Sequence, residues 1–301
     1  MSSLLRMTGI VKTFPGVQAL QNVDFEVNVG EVHALMGENG AGKSTLLKVL
    51  TGVYPAEAGE IQFEGRKIAP RSPQDATRIG ISAVYQELNL APNLSIAENI
   101  VIGREPMGLL GIRWREVRRR ATQALARLGL ELDVSRPVGS CSPAIQHLTA
   151  IARALDVDAR MLVLDEPTAS LDRDEVENLF EVIHRLKAQG LGIIYVTHFL
   201  DEVYAIADQI TVLRNGTKVG CDTPGAMPKR ALVSLMIGRD APAEENAVRP
   251  EVSTGGEILL TASNLGKRFA VEDLNFEIRS GEVLGLAGLL DRKSTRLNSS
   301  H

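Results

Sequence analysis

The chain has no long hydrophobic run: nowhere do about 18 uninterrupted apolar residues occur, the length a membrane-spanning helix requires. Its start, MSSLLRMTGIVKTF, has no charged stretch followed by a sustained apolar one, so neither a membrane span nor an export signal is expected. An excess of positive charge is missing too. With 33 Lys and Arg against 37 Asp and Glu, a net charge of −4, the chain offers no cationic footprint for nucleic acid or an anionic membrane surface. No nucleic-acid partner is expected. Cysteine is nearly absent, and the two present, Cys141 and Cys221, stand far apart and in no metal-ligand spacing. That excludes a disulfide framework and suits free thiols in a reducing cytosol; both read as small buried hydrophobes.

What is present is enough chain, 301 residues, for one large domain or two modest ones, each with its own core. Residues 1–36 alternate apolar and polar positions around a turn at Pro15 and Gly16, which predicts antiparallel strands leading into a buried strand that ends at a glycine-rich turn. From Ser95 to Leu155 the pattern is helical: Val117, Ala121, Leu125 and Leu128 share one face, and an arginine run lies on the other as a solvated face. MLVLDEP and GIIYVTH, separated by a charged helix from about Arg173 to Gln189, have the grammar of a parallel sheet with helical crossovers. Residues 238–257 are rich in Pro, Ala, Glu, Ser and Gly without periodicity and read as a linker. After it the opening plan returns, with Lys12 and Phe14 echoed by Lys267 and Phe269, and Gly30, Glu31 and Val32 by Gly281, Glu282 and Val283. A second copy of the first domain is expected to begin here.

GENGAGKST, Gly37 to Thr45, lies between the buried strand and a helix and matches the phosphate-loop spacing. Glycine-supported N–H groups in Gly37, Glu38, Asn39, Gly40, Ala41 and Gly42 and the helix N-terminus suit phosphate oxygens. Lys43 suits the β and γ phosphates, Ser44 a Mg²⁺ ion, and Thr45 completes the set. MLVLDEP puts Asp165 and Glu166 where a buried strand meets solvent. Alone the pair is better explained as an acidic helix cap; with the phosphate loop, Asp165 is expected in the Mg²⁺ shell and Glu166 on the attacking water.

Gln86 in VYQELNL, the turn Ser170, Leu171 and Asp172, and His198 ending IIYVTH follow in the order and spacing of ATP-binding cassette proteins, which the chain resembles from about Leu4 to Gly238. The resemblance implies a P-loop NTPase, an α/β RecA-like core with an antiparallel β-subdomain and a helical subdomain, using ATP and Mg²⁺. It implies that Gln86 senses magnesium and the γ-phosphate and joins Glu166 and His198 in catalysis. It also implies that Phe14 stacks on adenine and that the Ser-Leu-Asp turn touches a partner domain. One motif departs: where the family has Leu-Ser-Gly-Gly-Gln, this chain has CSPAI at 141–145. Ser142 and Pro143 suit a helix start, but proline lacks an N–H, Ala144 adds a Cβ and Ile145 lacks an amide.

GVYPAEAGEIQFEG, IGREP, VTHFLDEVY and VLRNGTKVGC resemble the ATPase subunit of bacterial monosaccharide importers, the ribose, xylose and galactose group, and within it the galactofuranose branch. That implies ATP hydrolysis driving sugar import through membrane permease subunits, with a periplasmic sugar-binding protein and a second cassette in cis. The location implied is peripheral, on the cytoplasmic face of the plasma membrane. The alternative is a cytosolic cassette ATPase acting on ribosomes, which would be expected to carry a long charged helical linker.

The expected division is therefore 1–237 nucleotide-binding domain, 238–257 linker, 258–290 start of a second cassette and 291–301 non-native tail. The tail, DRKSTRLNSSH, contains Lys293, Ser294 and Thr295, yet it is not a second phosphate loop. Gly288 aligns with Gly37, one position too close to the lysine, and Arg292 stands where Gly42 should. The same residues equal the translation of a sequencing-adapter read.

Overall fold

The computed structural model describes residues 2–109, 111–238, 256–267 and 271–285. Most of the expected linker, and all of 286–301 with Gly288, Arg292 and Lys293, lie outside the described residues. The chain divides into two compact units, Met1–Ala241 and Pro242–His301.

The first unit opens with β1 (Ser3–Phe14) and β2 (Val17–Asn28), then β3 (Val32–Met36) and α1 (Lys43–Leu50). β4 (Ala58–Phe63), β5 (Arg66–Ile68) and α2 (Pro73–Ile79) precede β6 (Ile81–Val84). The helical stretch holds α3 (Ile96–Val101), a short hairpin of β7 (Met107–Gly108) and β8 (Gly111–Ile112), α4 (Trp114–Leu128) and α5 (Pro143–Leu155). β9 (Met161–Asp165), α6 (Arg173–Ala188), β10 (Gly192–Val196), α7 (Leu200–Ile206), β11 (Gln209–Arg214), β12 (Thr217–Asp222) and α8 (Lys229–Ile237) complete it.

The Pro15-Gly16 turn closes the β1–β2 hairpin with Phe14 opposite Val17. Alternation then works as expected: Leu5, Met7 and Ile10 face inward with Leu20, Val23 and Phe25, and the sheet runs β2-β1-β4-β5, all antiparallel. The second sheet runs β12-β11-β3-β10-β9-β6. It is parallel from β11 to β6, with β12 antiparallel at one edge. Both β3 and β10 are buried throughout, which is why they read as continuous apolar runs and not as alternating ones.

In the helical subdomain, α4 buries Val117, Ala121, Leu125 and Leu128 and stops at Gly129, in the left-handed region. The arginine run is not wholly solvated. Arg118 and Arg119 are exposed, but Arg120 turns inward, donating to Asp156 at 3.0 Å and to the Arg104 carbonyl at 2.9 Å. Pairing with a carboxylate overrides the simple solvated-face reading. Ser142 caps α5 with Pro143 in its first turn, and Asp172 and Glu175 form a reciprocal capping box on α6. Cys141 is buried as expected, whereas Cys221 is exposed, because it falls on the edge strand β12.

The second unit contains β13 (Ile258–Lys267) and β14 (Val271–Arg279), an antiparallel hairpin. It repeats the first hairpin in detail. Gly9, at φ 63°, gives its N–H to the Asp24 carboxylate, and Asn264, at φ 52°, gives its N–H to the Asn275 side chain. Glu31 accepts from the Asn28 N–H, and Glu282 from the Arg279 N–H.

Asn99, on α3, is fully buried and ties the preceding loop to the helix. Its amide donates to the carbonyls of Ala91, Leu94 and Ser95, and its oxygen accepts from the Ala91 N–H. Replacing Asn99 by Ala removes the acceptor of the Ala91 N–H and leaves the three carbonyls only their backbone donors, at an expected cost of about 1–3 kcal/mol. Urea unfolding of the two proteins measures it; a loss near zero would contradict this account.

Candidate active site

β3, β10 and β9 lie side by side, and their carboxyl ends coincide: Val196 pairs with Leu35 on one side and Asp165 on the other. The loops that leave them therefore emerge together, at the edge where open α/β sheets hold ligands.

The loop after β3 is pinched between two pieces of backbone. A Cβ on Gly37, at φ 147°, would lie 2.3 Å from the Leu213 carbonyl oxygen of β11. One on Gly42, at φ 107°, would lie 2.7 Å from the Ala19 carbonyl oxygen of the first hairpin. Only glycine fits either position without a shift. The loop turns through a bond from the Ala41 N–H to the Glu38 carbonyl, 3.1 Å, while the Ala41 carbonyl accepts from the Gly216 N–H, 3.0 Å. Gly42 is the N-cap of α1, and the helix start has neither a capping side chain nor an acid in its first turn. Those N–H groups and the positive end of the helix dipole suit an anion.

A cleft of about 430 Å³ opens over this helix start. Asn39, Gly40, Gly42, Lys43, Ser44 and Thr45 line it from the loop side, and Asp165 and Glu166 from the end of β9. Gly37, Glu38 and Ala41 shape the loop behind it. The Lys43 ammonium donates to the carbonyls of Gly37, 2.7 Å, and Glu38, 3.1 Å. Burial pulls the Lys43 pKa below the usual lysine value, with Glu166 and Asp165 opposing. Burial pushes the Asp165 pKa up, helped by Glu166 and opposed by Lys43 and Lys48. The cleft thus holds a partly desolvated cation facing partly desolvated carboxylates.

Glu166 sits at φ 48°, unusual for a non-glycine residue, with its N–H given to the Val196 carbonyl at 2.8 Å. Its carboxylate meets Nδ1 of His198 at 3.2 Å. The turn bearing His198 is braced from beneath: Glu202 accepts from the Tyr195 hydroxyl, 2.9 Å, and the Thr197 hydroxyl, 2.8 Å, and Thr197 accepts from the Phe199 N–H, 3.1 Å. No local pattern points to this brace, since a buried Tyr on an apolar strand reads as core.

Gln86 is exposed on the bend after β6, outside the cleft lining. Phe14 is half-buried and packs edge-on against Tyr54, centroids 5.2 Å apart. The hairpin residues that do reach the cleft are Val17, Gln18, Ala19 and Gln21, joined by Asn215 and Gly216 from the β11–β12 turn. Sequence reasoning missed these; the Gln21 N–H bond to the Gly216 carbonyl, 2.7 Å, brings the two turns together and links positions far apart in the chain.

Residues 20–169 match the family described as ABC transporter. A nucleotide-free ATP-binding cassette from an ABC transporter superposes with a TM-score of 0.66 at 30% identity, covering 74% of this chain and 92% of that one. The chain belongs to the ABC transporter family. Its first unit is accordingly a P-loop NTPase cassette, with α/β core, antiparallel β-subdomain and helical subdomain, and the family binds nucleotide. The chain is 49% identical over 289 residues to the galactofuranose transporter ATP-binding protein YtfR of Escherichia coli K12, covering 95% of this chain and 57% of that protein. It is 44% identical over 297 residues to the ribose import ATP-binding protein RbsA 1 of Rubrobacter xylanophilus, covering 99% of this chain and 59% of that protein. The chain thus spans little more than half the length of these relatives.

The pinch at Gly37 carries a prediction. Gly37→Ala forces a Cβ against the β11 carbonyl at a backbone angle alanine resists, and is expected to destabilise the cassette by about 2 kcal/mol or more. Chemical denaturation checks this, and unchanged stability would mean the loop is slack.

Proposed function

We propose that this cassette binds Mg·ATP in the cleft above α1. In the longer protein, with a second cassette in cis, it hydrolyses ATP to ADP and phosphate to drive a monosaccharide inward through separate membrane permease subunits. The observation that carries the reading is the convergence of Lys43, Ser44, Asp165 and Glu166 on one cleft at the start of an uncapped helix. The named relatives import sugars, which favours this reading over action on ribosomes. A periplasmic sugar-binding protein would deliver the substrate. Among the described residues no helix is long and apolar enough to cross a membrane, which suits a peripheral subunit on the cytoplasmic face. The chain is read as 1–237 nucleotide-binding domain, 238–257 linker, 258–290 start of the second cassette and 291–301 non-native tail.

The donors fit the magnesium ion. The Ser44 hydroxyl and the Asp165 carboxylate are hard oxygen ligands lining one cleft, with Gln86 as a third candidate, and Asp165 is held in a partly desolvated setting that a cation would relieve. Bound there, Mg²⁺ would neutralise charge on the β and γ phosphates. The loop from Gly37 to Gly42 and the first turn of α1 hold the phosphates through backbone N–H groups, and Thr45 borders them. Lys43 leaves its own loop carbonyls to take the β and γ oxygens. Glu166 orients and polarises the attacking water, and His198, in contact with Glu166, meets the γ-phosphate. Phe14, on the strand that feeds the cleft-lining turn, stacks on the adenine.

Two substitutions separate binding from turnover. Lys43→Ala is expected to weaken Mg·ATP binding about tenfold or more, read by calorimetric titration; equal affinities would defeat the assignment. Glu166→Gln, in a protein with the second cassette complete, should retain binding while turnover falls about a hundredfold or more. Turnover unchanged by that substitution would remove Glu166 from the reaction.

A further inference from the structure

Away from the cleft, four side chains on or beside neighbouring strands form a chain of contacts that nucleotide chemistry does not use. His33 on β3 is buried, at 2% exposure, and so is Glu31 just before it, at 3%. The Glu31 carboxylate meets Nδ1 of His33 at 2.7 Å. Nε2 of the same ring meets the Thr211 hydroxyl of β11, also at 2.7 Å. Thr211 stands directly opposite Cys221 in the β11–β12 register, and its hydroxyl donates to Cys221 Sγ at 3.4 Å. Cys221 itself is exposed, on the terminal strand of the sheet.

The order is carboxylate, imidazole, hydroxyl, thiol, running from the interior to the surface. Glu31 is fixed by Asn28, whose N–H donates to it at 3.2 Å, so the ring has little freedom to turn away. The charged groups facing the thiol are His33 from β3 and Lys218 from its own strand, with Glu31 acting through the imidazole. Interaction with His33 holds the Cys221 thiol below the usual cysteine value, against the opposing effect of burial. Burial disfavours a charged His33, but Cys221 and Glu31 outweigh it and its pKa is raised. A raised imidazole beside a lowered thiol favours the imidazolium–thiolate form over the neutral pair. In the second unit Leu284 stands at the position of His33, so this arrangement belongs to the first unit alone.

The geometry points to Cys221 as a reactive thiol, activated through Thr211 by the buried His33 and Glu31 pair, that undergoes exchange with small-molecule disulfides of the glutathione class. The Cys221 proton passes by way of the Thr211 hydroxyl to His33. The thiolate then attacks one sulfur of the disulfide, a new S–S bond forms as the old one breaks, and the departing thiolate takes up a proton. One disulfide and one thiol are consumed, and one mixed disulfide and one thiol are produced. Cys141, buried with its thiol 3.6 Å from the Pro137 carbonyl, is the internal control.

The test uses the folded 301-residue chain with an aromatic disulfide as the kinetic probe and oxidised glutathione as the modifying reagent. The rate at Cys221 should inflect at a pH below the ordinary thiol value of about 8.5. At pH 7, Thr211→Val and His33→Gln should each slow it about threefold or more, part of the thiolate gain being offset by lower nucleophilicity. Cys221→Ser should abolish the fast reaction, leaving Cys141 to react only on unfolding, and mass spectrometry should place the glutathione adduct on the Cys221 peptide. Should His33→Gln fail to fold, the wild-type pH profile and Thr211→Val decide. An inflection at or above the ordinary value, a rate unchanged in Thr211→Val, or modification of Cys141 in preference to Cys221 would each overturn the inference.

Discussion

The parallel ladder joining β3, β10 and β9 brings their carboxyl ends into one row, and the functional geometry depends on that register. Leu35, Val196 and Asp165 lie in one row, so the phosphate loop, the acidic pair and the histidine turn leave the sheet side by side. The row even extends past the strands, because the Glu166 N–H bonds to the Val196 carbonyl while Glu166 adopts a left-handed backbone angle. A slip of one residue in β9 would turn Asp165 to the other face of the sheet and carry Glu166 away from His198. Burial enforces the alignment, since the middle strands have no polar face to offer solvent.

The antiparallel subdomain serves that row from outside. The first hairpin sends the Ala19 carbonyl against Gly42, and the β11–β12 turn is drawn to the same place by the bond between Gln21 and Gly216. The cleft is consequently walled by segments almost two hundred positions apart, joined by the Gln21–Gly216 backbone bond and by the Gln21 side chain on the Asn215 carbonyl.

Much of this was legible because it is local. The phosphate loop announces itself by spacing, the capping box of Asp172 and Glu175 by residue type, and the strands by alternation or unbroken apolarity. The repeat was visible too, down to the glutamate after each second strand, which accepts the same backbone N–H in both units. What could not be read depends on tertiary neighbours. Arg120 looks solvated until α5 brings Asp156 to it. Cys221 looks like core until β12 proves to be an edge. Tyr195 looks purely apolar in purpose until Glu202 arrives from the next helix. In each case the chemistry of a residue is decided by a partner that no local pattern predicts.

Lys43 already has partners, the carbonyl oxygens of Gly37 and Glu38. The ammonium therefore acts as a placeholder, closing the loop upon itself and preserving the curvature that the glycines permit. An incoming anion therefore competes with two neutral acceptors for two of the ammonium's three protons. Selectivity follows from that contest. Any anion that enters brings a charge-assisted bond that the neutral carbonyls cannot match, and the advantage grows with the charge it carries, so a polyanionic oxygen cluster is favoured most.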